Sequence, residues 1–280
     1  MTISAFVLQM NSVPDHKTNL KMIRTQLSEK KHEIKNSLVL LPECFAYFGG
    51  GEKGHFRIAE SLNDPNAEIQ NYLADLAAEF EIYLIAGTFP IKSEGDRRVL
   101  PMTLVFSPKG ELVSKYQKLH LFDVDVGDAT GSYRESSTWQ PGEEIGYFDC
   151  EWGRIGLTIC YDLRFPSLYQ KLARLGCQAI VVPSAFTQTT GAAHWHVLLR
   201  ARAIENQVYM IATNQTGVHN NDRETYGHSL IVDPWGDVLV DAKKELGLFG
   251  VELNKDKLDK IRAAMPVGKH NRFSVELKTQ

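Results

Sequence analysis

The stretch GLTICYDLRFP (residues 156–166) decides the fold prediction, because an apolar run ends within it and polar residues follow at once. Residues 155–159 are typical of a buried strand, and Pro166 is typical of the first turn of a helix. Cys160 is therefore predicted at a strand-to-helix turn. Such a turn presents a side chain to a cleft and offers the backbone N–H of Tyr161 as an oxyanion donor.

The residues next to Cys160 favour chemistry over packing. A free cysteine is often an inert core residue, so the position alone leaves both interpretations open. Asp162 and Arg164 follow directly, and such polar neighbours are more typical of a reactive site. The other three cysteines are scattered without CxxC pairing: Cys44, Cys150 and Cys177. This pattern fits neither a disulfide framework nor a thiolate zinc site.

Outward from this stretch, short apolar runs alternate with helical patterns along the whole chain. Predicted strands cover residues 3–10, 37–41, 82–88, 102–107, 111–116, 155–159, 179–183, 208–213, 229–232 and 248–253. Predicted helices cover residues 18–35, 67–80, 167–175, 193–206 and 255–264. Hairpin signals occur at SPKGEL (107–112) and DPWGDV (233–238). This order predicts an α/β protein with a mixed sheet or two sheets covered by helices, in one domain over residues 1–280.

Composition excludes several classes of partner. The 31 Lys and Arg against 34 Asp and Glu give a net charge of −3, with no basic block that would bind phosphates or an anionic membrane. No apolar run approaches the ~20 residues that span a bilayer, and the first residues lack the pattern of a signal peptide. We therefore expect no nucleic-acid or membrane partner and a cytoplasmic location.

Two charged residues also follow predicted strands. Glu43 comes after residues 37–41 and a proline, and strand ends at one edge of an α/β sheet converge on a crevice. An unpaired carboxylate there would have a raised pKa, which suits a general base. Lys118 follows another strand and could reach the same crevice, although either residue alone could be an ordinary surface group. With Cys160 they supply a nucleophile, a proton acceptor and a cation for the oxyanion of acyl transfer.

The spacing of the histidines is not typical of a metal-binding site. His194 and His196 are two positions apart, so a helix would point them to different faces, and we expect structural roles for them. His120 follows Lys118 closely and could either support the site or simply pack.

The segments LLPECF (40–45), YQKLHLFD (116–123) and GLTICYDLRFP, in this order, resemble the nitrilase superfamily of carbon–nitrogen hydrolases. The similarity continues through PSAFTQTTGAAHWHVLLRARAIENQVY (183–209) and YGHSLIVDPWGDV (226–238). It implies a single-domain, four-layer α-β-β-α sandwich that dimerises, acts on a small-molecule amide, and needs neither a metal nor an organic cofactor. It also implies that Glu43 is the general base, Lys118 stabilises the oxyanion, and Cys160 forms a thioester acyl-enzyme. Glu135, in YRESST, resembles a second glutamate that positions substrate and lysine.

Within the superfamily, the chain is most similar to the branch that acts on 2-oxoglutaryl amides, which includes the deaminated glutathione amidases and the ω-amidases. In that branch Arg164, Phe186 and Thr190 would hold the carboxylate end of the substrate, with Tyr161 beside them, and an arginine fork suits a carboxylate. RARAIENQVY (200–209) and GVHNNDRETYGHS (217–229) favour the deaminated glutathione amidases. A hydrolase of another small amide, carbamoyl or nitrile compound, and a catalytically silent acyl-binding relative, are the alternatives.

Overall fold

Two six-stranded mixed sheets lie face to face at the centre of the protein. We analysed a computed structural model that describes residues 1–126, 131–219 and 223–278. Residues 220–222, which belong to the 217–229 stretch named above, lie outside the described residues.

The secondary structure alternates between strands and helices over most of the chain. The strands of the described residues are β1 (Thr2–Gln9), β2 (Leu38–Leu40), β3 (Tyr83–Lys92), β4 (Val99–Phe106), β5 (Leu112–Gln117), β6 (Asp123–Asp125), β7 (Ser132–Arg134), β8 (Gly146–Cys150), β9 (Gly153–Leu157), β10 (Cys177–Ser184), β11 (Tyr209–Asn214), β12 (Thr216–Val218), β13 (Glu224–Tyr226), β14 (Leu230–Val232), β15 (Val238–Asp241) and β16 (Gly247–Asn254). The α-helices there are α1 (His16–Glu29), α2 (Lys31–Ile34), α3 (Lys53–Ile58), α4 (Glu68–Phe80), α5 (Pro166–Arg174), α6 (Gln188–Asn206), α7 (Lys255–Ala264) and α8 (Val267–His270). Short 3-10 helices cover Glu135–Ser137 and Cys160–Arg164.

Each sheet combines a parallel centre with antiparallel edges. The first has the order β16-β1-β2-β3-β4-β5, in which β1, β2 and β3 are parallel. The second has the order β15-β14-β11-β10-β9-β8, in which β9, β10 and β11 are parallel. Both predicted hairpins are present, since β4 pairs with β5 and β14 with β15 in antiparallel fashion.

Apolar side chains on both faces of the first sheet pack into two separate cores. In β1, Ala5 and Val7 belong to the core between the sheets, whereas Phe6 and Leu8 belong to the core under α1 and α4. This follows from the two-residue period of a strand. On the other side, the added side chain at Gly156 of β9 would meet Leu172 of α5, so this face of the second sheet carries helices. The predicted four-layer α-β-β-α sandwich is therefore confirmed.

Two predicted helix boundaries are wrong. The predicted helix over residues 18–35 breaks at Lys30, where the chain leaves helical geometry (φ −114°, ψ 18°) between α1 and α2. Helix α6 starts earlier than residue 193, because the side chain of Thr187 caps it by accepting a hydrogen bond from Thr190 N. Gly191 lies in this first turn because a larger side chain would collide with Tyr226.

Two histidines are buried in the neutral form. The His219 ring packs edge-on against Phe48, with 4.4 Å between ring centroids. Its Nδ1 lies 3.2 Å from the Ser12 carbonyl oxygen and its Nε2 lies 2.8 Å from Thr225 Oγ1, an arrangement that a neutral ring with a proton on Nδ1 satisfies. Burial lowers the pKa of His219 to about 4, and it also lowers the pKa of His55 to about 4.

These two histidines predict a loss of stability in mild acid. An unfolded histidine has a pKa of about 6.5, so between about pH 6.5 and pH 4 the unfolded chain binds more protons than the folded chain. The free energy of unfolding, measured with urea, should therefore fall across this window as the pH falls. His219→Gln should reduce the slope, whereas His32→Gln, which replaces an exposed side chain, should keep it. An unchanged slope in His219→Gln would exclude this assignment.

Candidate active site

The strand directions bring the predicted site residues to one edge of the sandwich. Glu43 follows β2, and Cys160 follows β9 of the facing sheet. Two antiparallel pairings separate β5 from β3, so β5 runs in the same direction as β3 and delivers Lys118 to the same edge. The carboxyl ends of parallel strands form such crevices in open α/β sheets.

Glu43 is held in place by the close approach of strand β3 to the loop that follows β2. An added side chain at Gly87 would collide with the carbonyl oxygen of Pro42, so only glycine allows β3 to come this near. The Glu43 carboxylate accepts a hydrogen bond from Lys118 Nζ at 2.9 Å and another from the Ala185 backbone N–H at 2.9 Å. The prediction of an unpaired carboxylate is therefore wrong, because Lys118 pairs with Glu43 directly.

Lys118 is the electrostatic centre of the site. It is only 1% exposed, and its Nζ also lies 3.0 Å and 2.8 Å from the two carboxylate oxygens of Glu135. Burial alone would lower the pKa of Lys118, but the carboxylates of Glu135 and Glu43 outweigh it and hold this pKa well above its usual range. Lys118 is thus a permanent ammonium ion between two carboxylates.

Glu135 is the third member of this charged cluster. It begins a 3-10 helix and accepts a further hydrogen bond from the Phe122 backbone N–H at 2.7 Å. Its burial raises the pKa of its carboxyl group, Lys118 opposes this change, and Glu43 adds to it. Glu135 and Glu43 together therefore hold the ammonium group of Lys118 in place.

Cys160 occupies a strained backbone position beside the cluster. Its φ of 45° lies in the left-handed region, which costs free energy in a residue with a side chain and is common at functional sites. Its side chain borders the cleft although the residue is only 9% exposed. Burial raises the pKa of the Cys160 thiol well above its usual range, Glu43 adds to this effect, and Lys118 opposes it. The resting thiol therefore keeps its proton.

Asp162 anchors the turn that carries Cys160. Its carboxylate is fully buried and accepts hydrogen bonds from Ile159 N at 2.8 Å and Tyr116 Oη at 2.7 Å. It also contacts His120 Nδ1 at 2.7 Å and accepts from His120 N at 3.1 Å. The structure thus gives His120 the supporting place that was one of its two predicted roles. The sequence analysis used Asp162 only as a polar neighbour of Cys160, and its buried hydrogen bonds to Tyr116 and His120 depend on the fold.

One cleft contains the predicted site residues. Its lining includes seven of the eight predicted residues: Glu43, Glu135, Cys160, Tyr161, Arg164, Phe186 and Thr190. Lys118, the eighth, lies beneath it in contact with Glu43 and Glu135.

The predicted carboxylate pocket forms one wall of this cleft. The guanidinium carbon of Arg164 lies 5.4 Å from the centroid of the Phe186 ring and 5.9 Å from that of Tyr161. Thr190 lies in the first turn of α6, where backbone N–H groups favour an anion. A cation, an aromatic wall and a helix N-terminus therefore meet in a place that suits a carboxylate.

Sequence reasoning missed Arg223, which also lines the cleft. It lies in the 217–229 stretch, where no periodic pattern predicts which side chains turn inward. Its approach to the cleft depends on the path of a loop, so only the three-dimensional structure reveals it.

A group of possible metal ligands lies outside this cleft. In the described ranges, ligand atoms of His196, His228 and Asp241 all lie within 4.8 Å of one another, and Asp241 contacts both histidines. His194 instead contacts Arg164, whereas His196 contacts Asp241, so the two neighbouring histidines of α6 have different partners. The cleft residues themselves offer carboxylates that Lys118 already occupies.

The fold is similar to that of a solved carbon–nitrogen hydrolase from Helicobacter pylori G27, with a TM-score of 0.83 and 25% identity over 97% of this chain. A family model described as Carbon-nitrogen hydrolase matches residues 5–263. The chain belongs to the carbon–nitrogen hydrolase family, and the predicted family is confirmed.

Sequence similarity to individual relatives covers most of the chain. It is 40% identical over 268 residues to the deaminated glutathione amidase of Yersinia enterocolitica, covering 95% of this chain and 92% of that one. It is also 40% identical over 247 residues to the omega-amidase of Homo sapiens, covering 86% of each chain. The crystal structure of Nit3 from Saccharomyces cerevisiae, a member of branch 10 of the nitrilase superfamily, matches with a TM-score of 0.86 and 32% identity over 97% of both chains. The chain is accordingly an amidase of this superfamily.

No helix among the described residues is both long enough and apolar enough to span a bilayer.

Because the buried carboxylate of Asp162 accepts several hydrogen bonds, its replacement should reduce the free energy of unfolding more than replacement of a surface carboxylate. Asp162→Asn keeps the shape but removes a charge that holds several donors, so it should lower the free energy of unfolding by about 2–3 kcal/mol. The displaced Cys160 turn should also lower kcat. Asp149→Asn is the control, because its ion pair with Arg154 is exposed and should contribute less than about 1 kcal/mol. Equal urea midpoints for both variants would contradict the anchoring role.

Proposed function

We propose that this amidase hydrolyses deaminated glutathione to 2-oxoglutarate and cysteinylglycine through a thioester on Cys160. The observation that carries the proposal is the contact of Lys118 with both Glu43 and Glu135 beneath a cleft that also contains Cys160 and Arg164. This cleft combines groups for acyl transfer with a cation for the substrate's terminal carboxylate.

In the first half-reaction, Glu43 takes the proton of the Cys160 thiol. The sulfur then attacks the amide carbon, and the carbonyl oxygen becomes an oxyanion near the Lys118 ammonium and the Tyr161 backbone N–H. For this step the two Glu135 oxygens share one N–H of Lys118, which leaves another donor for the oxyanion. Glu43 then passes its proton to the leaving nitrogen, the carbon–nitrogen bond breaks, and a thioester remains.

In the second half-reaction, water replaces the amine. Glu43 removes a proton from this water, and the resulting oxygen nucleophile attacks the thioester carbon. The carbon–sulfur bond breaks, the sulfur recovers the proton, and the carboxylic acid leaves. Each group returns to its starting state, so the cycle needs no redox partner.

The proposed identity of the substrate's acyl group is based on the side of the cleft that contains Arg164. A planar guanidinium binds a carboxylate through two parallel hydrogen bonds, and Phe186 limits the width of the chain that reaches it. Thr190 lines the same side of the cleft, and its hydroxyl group could donate to the carboxylate. A 2-oxoglutaryl group has a carboxylate at the end away from the scissile bond, which suits this wall.

A second candidate is an ω-amidase that releases ammonia from 2-oxoglutaramate. The observation in its favour is the equal 40% identity of the chain to a relative with that name. Both substrates share one acyl group, so the acyl pocket alone does not choose between them.

The test of the proposed function compares catalytic efficiencies on deaminated glutathione, 2-oxoglutaramate and succinamate with the purified protein. The highest kcat/KM should belong to deaminated glutathione. A much faster turnover of 2-oxoglutaramate would assign the chain to the second candidate. No turnover of any amide, with no acyl adduct on Cys160 by intact mass, would instead indicate a silent acyl-binding protein.

Glu43→Gln separates binding from catalysis. This change keeps the volume of the side chain but removes the proton acceptor, so kcat should fall by about 100- to 10,000-fold while KM changes little. Cys160→Ala should abolish both turnover and the acyl adduct. A loss of kcat below tenfold in Glu43→Gln would show that another group takes the proton.

We also propose a cytoplasmic homodimer in which residues 1–280 form one domain. Helix α6 presents Val197 and Ile204 to solvent at 66% and 42% exposure, and exposed apolar side chains on one helix favour a partner surface. The four cysteines are free thiols, as is usual in a reducing compartment. Sedimentation velocity on the purified chain distinguishes a dimer from a monomer.

A further inference from the structure

A histidine–aspartate cluster, formed by His196, His228 and Asp241, lies away from the cleft. His196 belongs to α6, His228 lies between β13 and β14, and Asp241 ends β15. The three side chains are partly exposed, at 21% to 33%, so an ion in solution can reach them. They are far apart in the chain, and only the fold brings them together.

Two distances within this cluster match the edges of a tetrahedral metal site. Asp241 Oδ2 lies 3.4 Å from His196 Nε2 and 3.3 Å from His228 Nδ1. Both separations are longer than a good N–H···O hydrogen bond. Ligand atoms that each lie about 2.0–2.2 Å from a zinc ion, at the tetrahedral angle, are about 3.4 Å apart. Asp241 Oδ2 therefore occupies the common corner of two such edges.

The third edge joins the two histidines. Ligand atoms of all three residues lie within 4.8 Å of one another, and rotation of an imidazole ring about its soft χ2 torsion would shorten this edge to about 3.4 Å. His228 Nδ1 also lies 2.9 Å from Asp241 Oδ1, which is a hydrogen bond when this nitrogen carries a proton. Metal binding would displace that proton, as it does for other histidine ligands.

The backbone at His228 holds the imidazole ring in position. Its φ of 55° lies in the left-handed region, which is unfavourable for a residue with a side chain and is common at functional sites. Its N–H donates to the Lys243 carbonyl oxygen at 2.5 Å, and its carbonyl oxygen accepts from Trp195 Nε1 at 2.7 Å. The Tyr226 ring stacks on the His228 ring, with 4.5 Å between centroids. These contacts orient the ring before an ion binds.

The carboxylate of Asp241 is oriented as well. Its Oδ1 accepts a hydrogen bond from Lys243 N at 2.9 Å, while Oδ2 faces both histidines. Carboxylates that bind metals commonly have such a supporting hydrogen bond. Two imidazole nitrogens and one carboxylate oxygen suit Zn²⁺ and similar transition-metal ions, whereas Mg²⁺ and Ca²⁺ prefer oxygen ligands alone.

We propose that His196, His228 and Asp241 bind one divalent transition-metal ion of the Zn²⁺ type, with water completing its coordination. The ion joins α6 to the second sheet through the segment before β14 and the end of β15. It takes no part in the proposed hydrolysis, because the cluster lies outside the described lining of the cleft. Its role is to fasten α6, whose first turn contributes Thr190 to that lining. This assignment goes beyond the proposed function and is independent of which amide the enzyme cleaves.

The experiment measures Zn²⁺ binding to the purified protein by isothermal titration calorimetry. All chains carry Cys160→Ala, because a reactive thiol can also bind zinc. One ion per chain should bind, and His196→Gln and Asp241→Asn should each weaken binding by at least about 100-fold, since loss of a supporting group alone costs about 10- to 100-fold. His194→Gln is the matched control, because it removes an exposed histidine of the same helix that lies outside the cluster, and it should leave the affinity unchanged. Mg²⁺ should not bind.

Two further measurements identify the ligands and the effect of the ion. The urea midpoint should rise with the concentration of Zn²⁺, because an ion that binds the folded chain stabilises it, and this rise should be lost in His196→Gln. Bound Co²⁺ should lack the charge-transfer absorption of a thiolate ligand. Absence of Zn²⁺ binding, equal binding by all variants, or a thiolate band with Co²⁺ would each overturn the assignment. His196→Gln changes a partly exposed side chain, so it tests the site even if Asp241→Asn does not fold, and circular dichroism without metal checks the fold of both.

Discussion

The ammonium group of Lys118, held between the carboxylates of Glu43 and Glu135, is the interaction on which the site depends. A buried ion that loses its partner costs about 3–5 kcal/mol, so each member of this cluster requires the others. Lys118 is almost fully buried and has a carboxylate on either side. The cluster therefore joins three separate parts of the chain, and it fixes the loops after β2 and β5 relative to one another.

The backbone around this cluster is shaped to bring the Cys160 thiol beside it. The left-handed φ of Cys160 is unfavourable in isolation, and Asp162 stabilises it by gathering hydrogen bonds from both sheets. Tyr116 reaches Asp162 from the end of β5, next to Lys118, so the turn of Cys160 and the loop of Lys118 share one anchor. Strain at Cys160 is thus balanced by the buried carboxylate of Asp162.

The sequence alone predicts much of this arrangement because strands place residues by simple rules. Glu43, Lys118 and Cys160 each follow an apolar run, and the directions of parallel strands bring such positions to one edge. The pairing of Glu43 with Lys118 was not predictable, since it depends on the close approach at Gly87 and on loop paths. Arg223 belongs to a segment without a periodic apolar pattern, so its place in the cleft lining was not predicted. The early start of α6 depends on the cap by Thr187, and the residues around this cap favour turns as much as helices.

The contact between Lys118 and Glu43, which was not predicted from the sequence, also affects how Glu43 would act as the proposed base. Lys118 donates a hydrogen bond to the carboxylate of Glu43, while burial raises the pKa of the Cys160 thiol well above its usual range. In the proposed mechanism, the proton moves to Glu43, and one negative charge moves from carboxylate to sulfur and then to the developing oxyanion. All three positions lie around the same ammonium group, so the net charge of the buried site stays constant throughout the transfer. In this proposed mechanism Lys118 stabilises the reactant and the tetrahedral intermediate in turn, and its contact with Glu135 holds it in place during both steps.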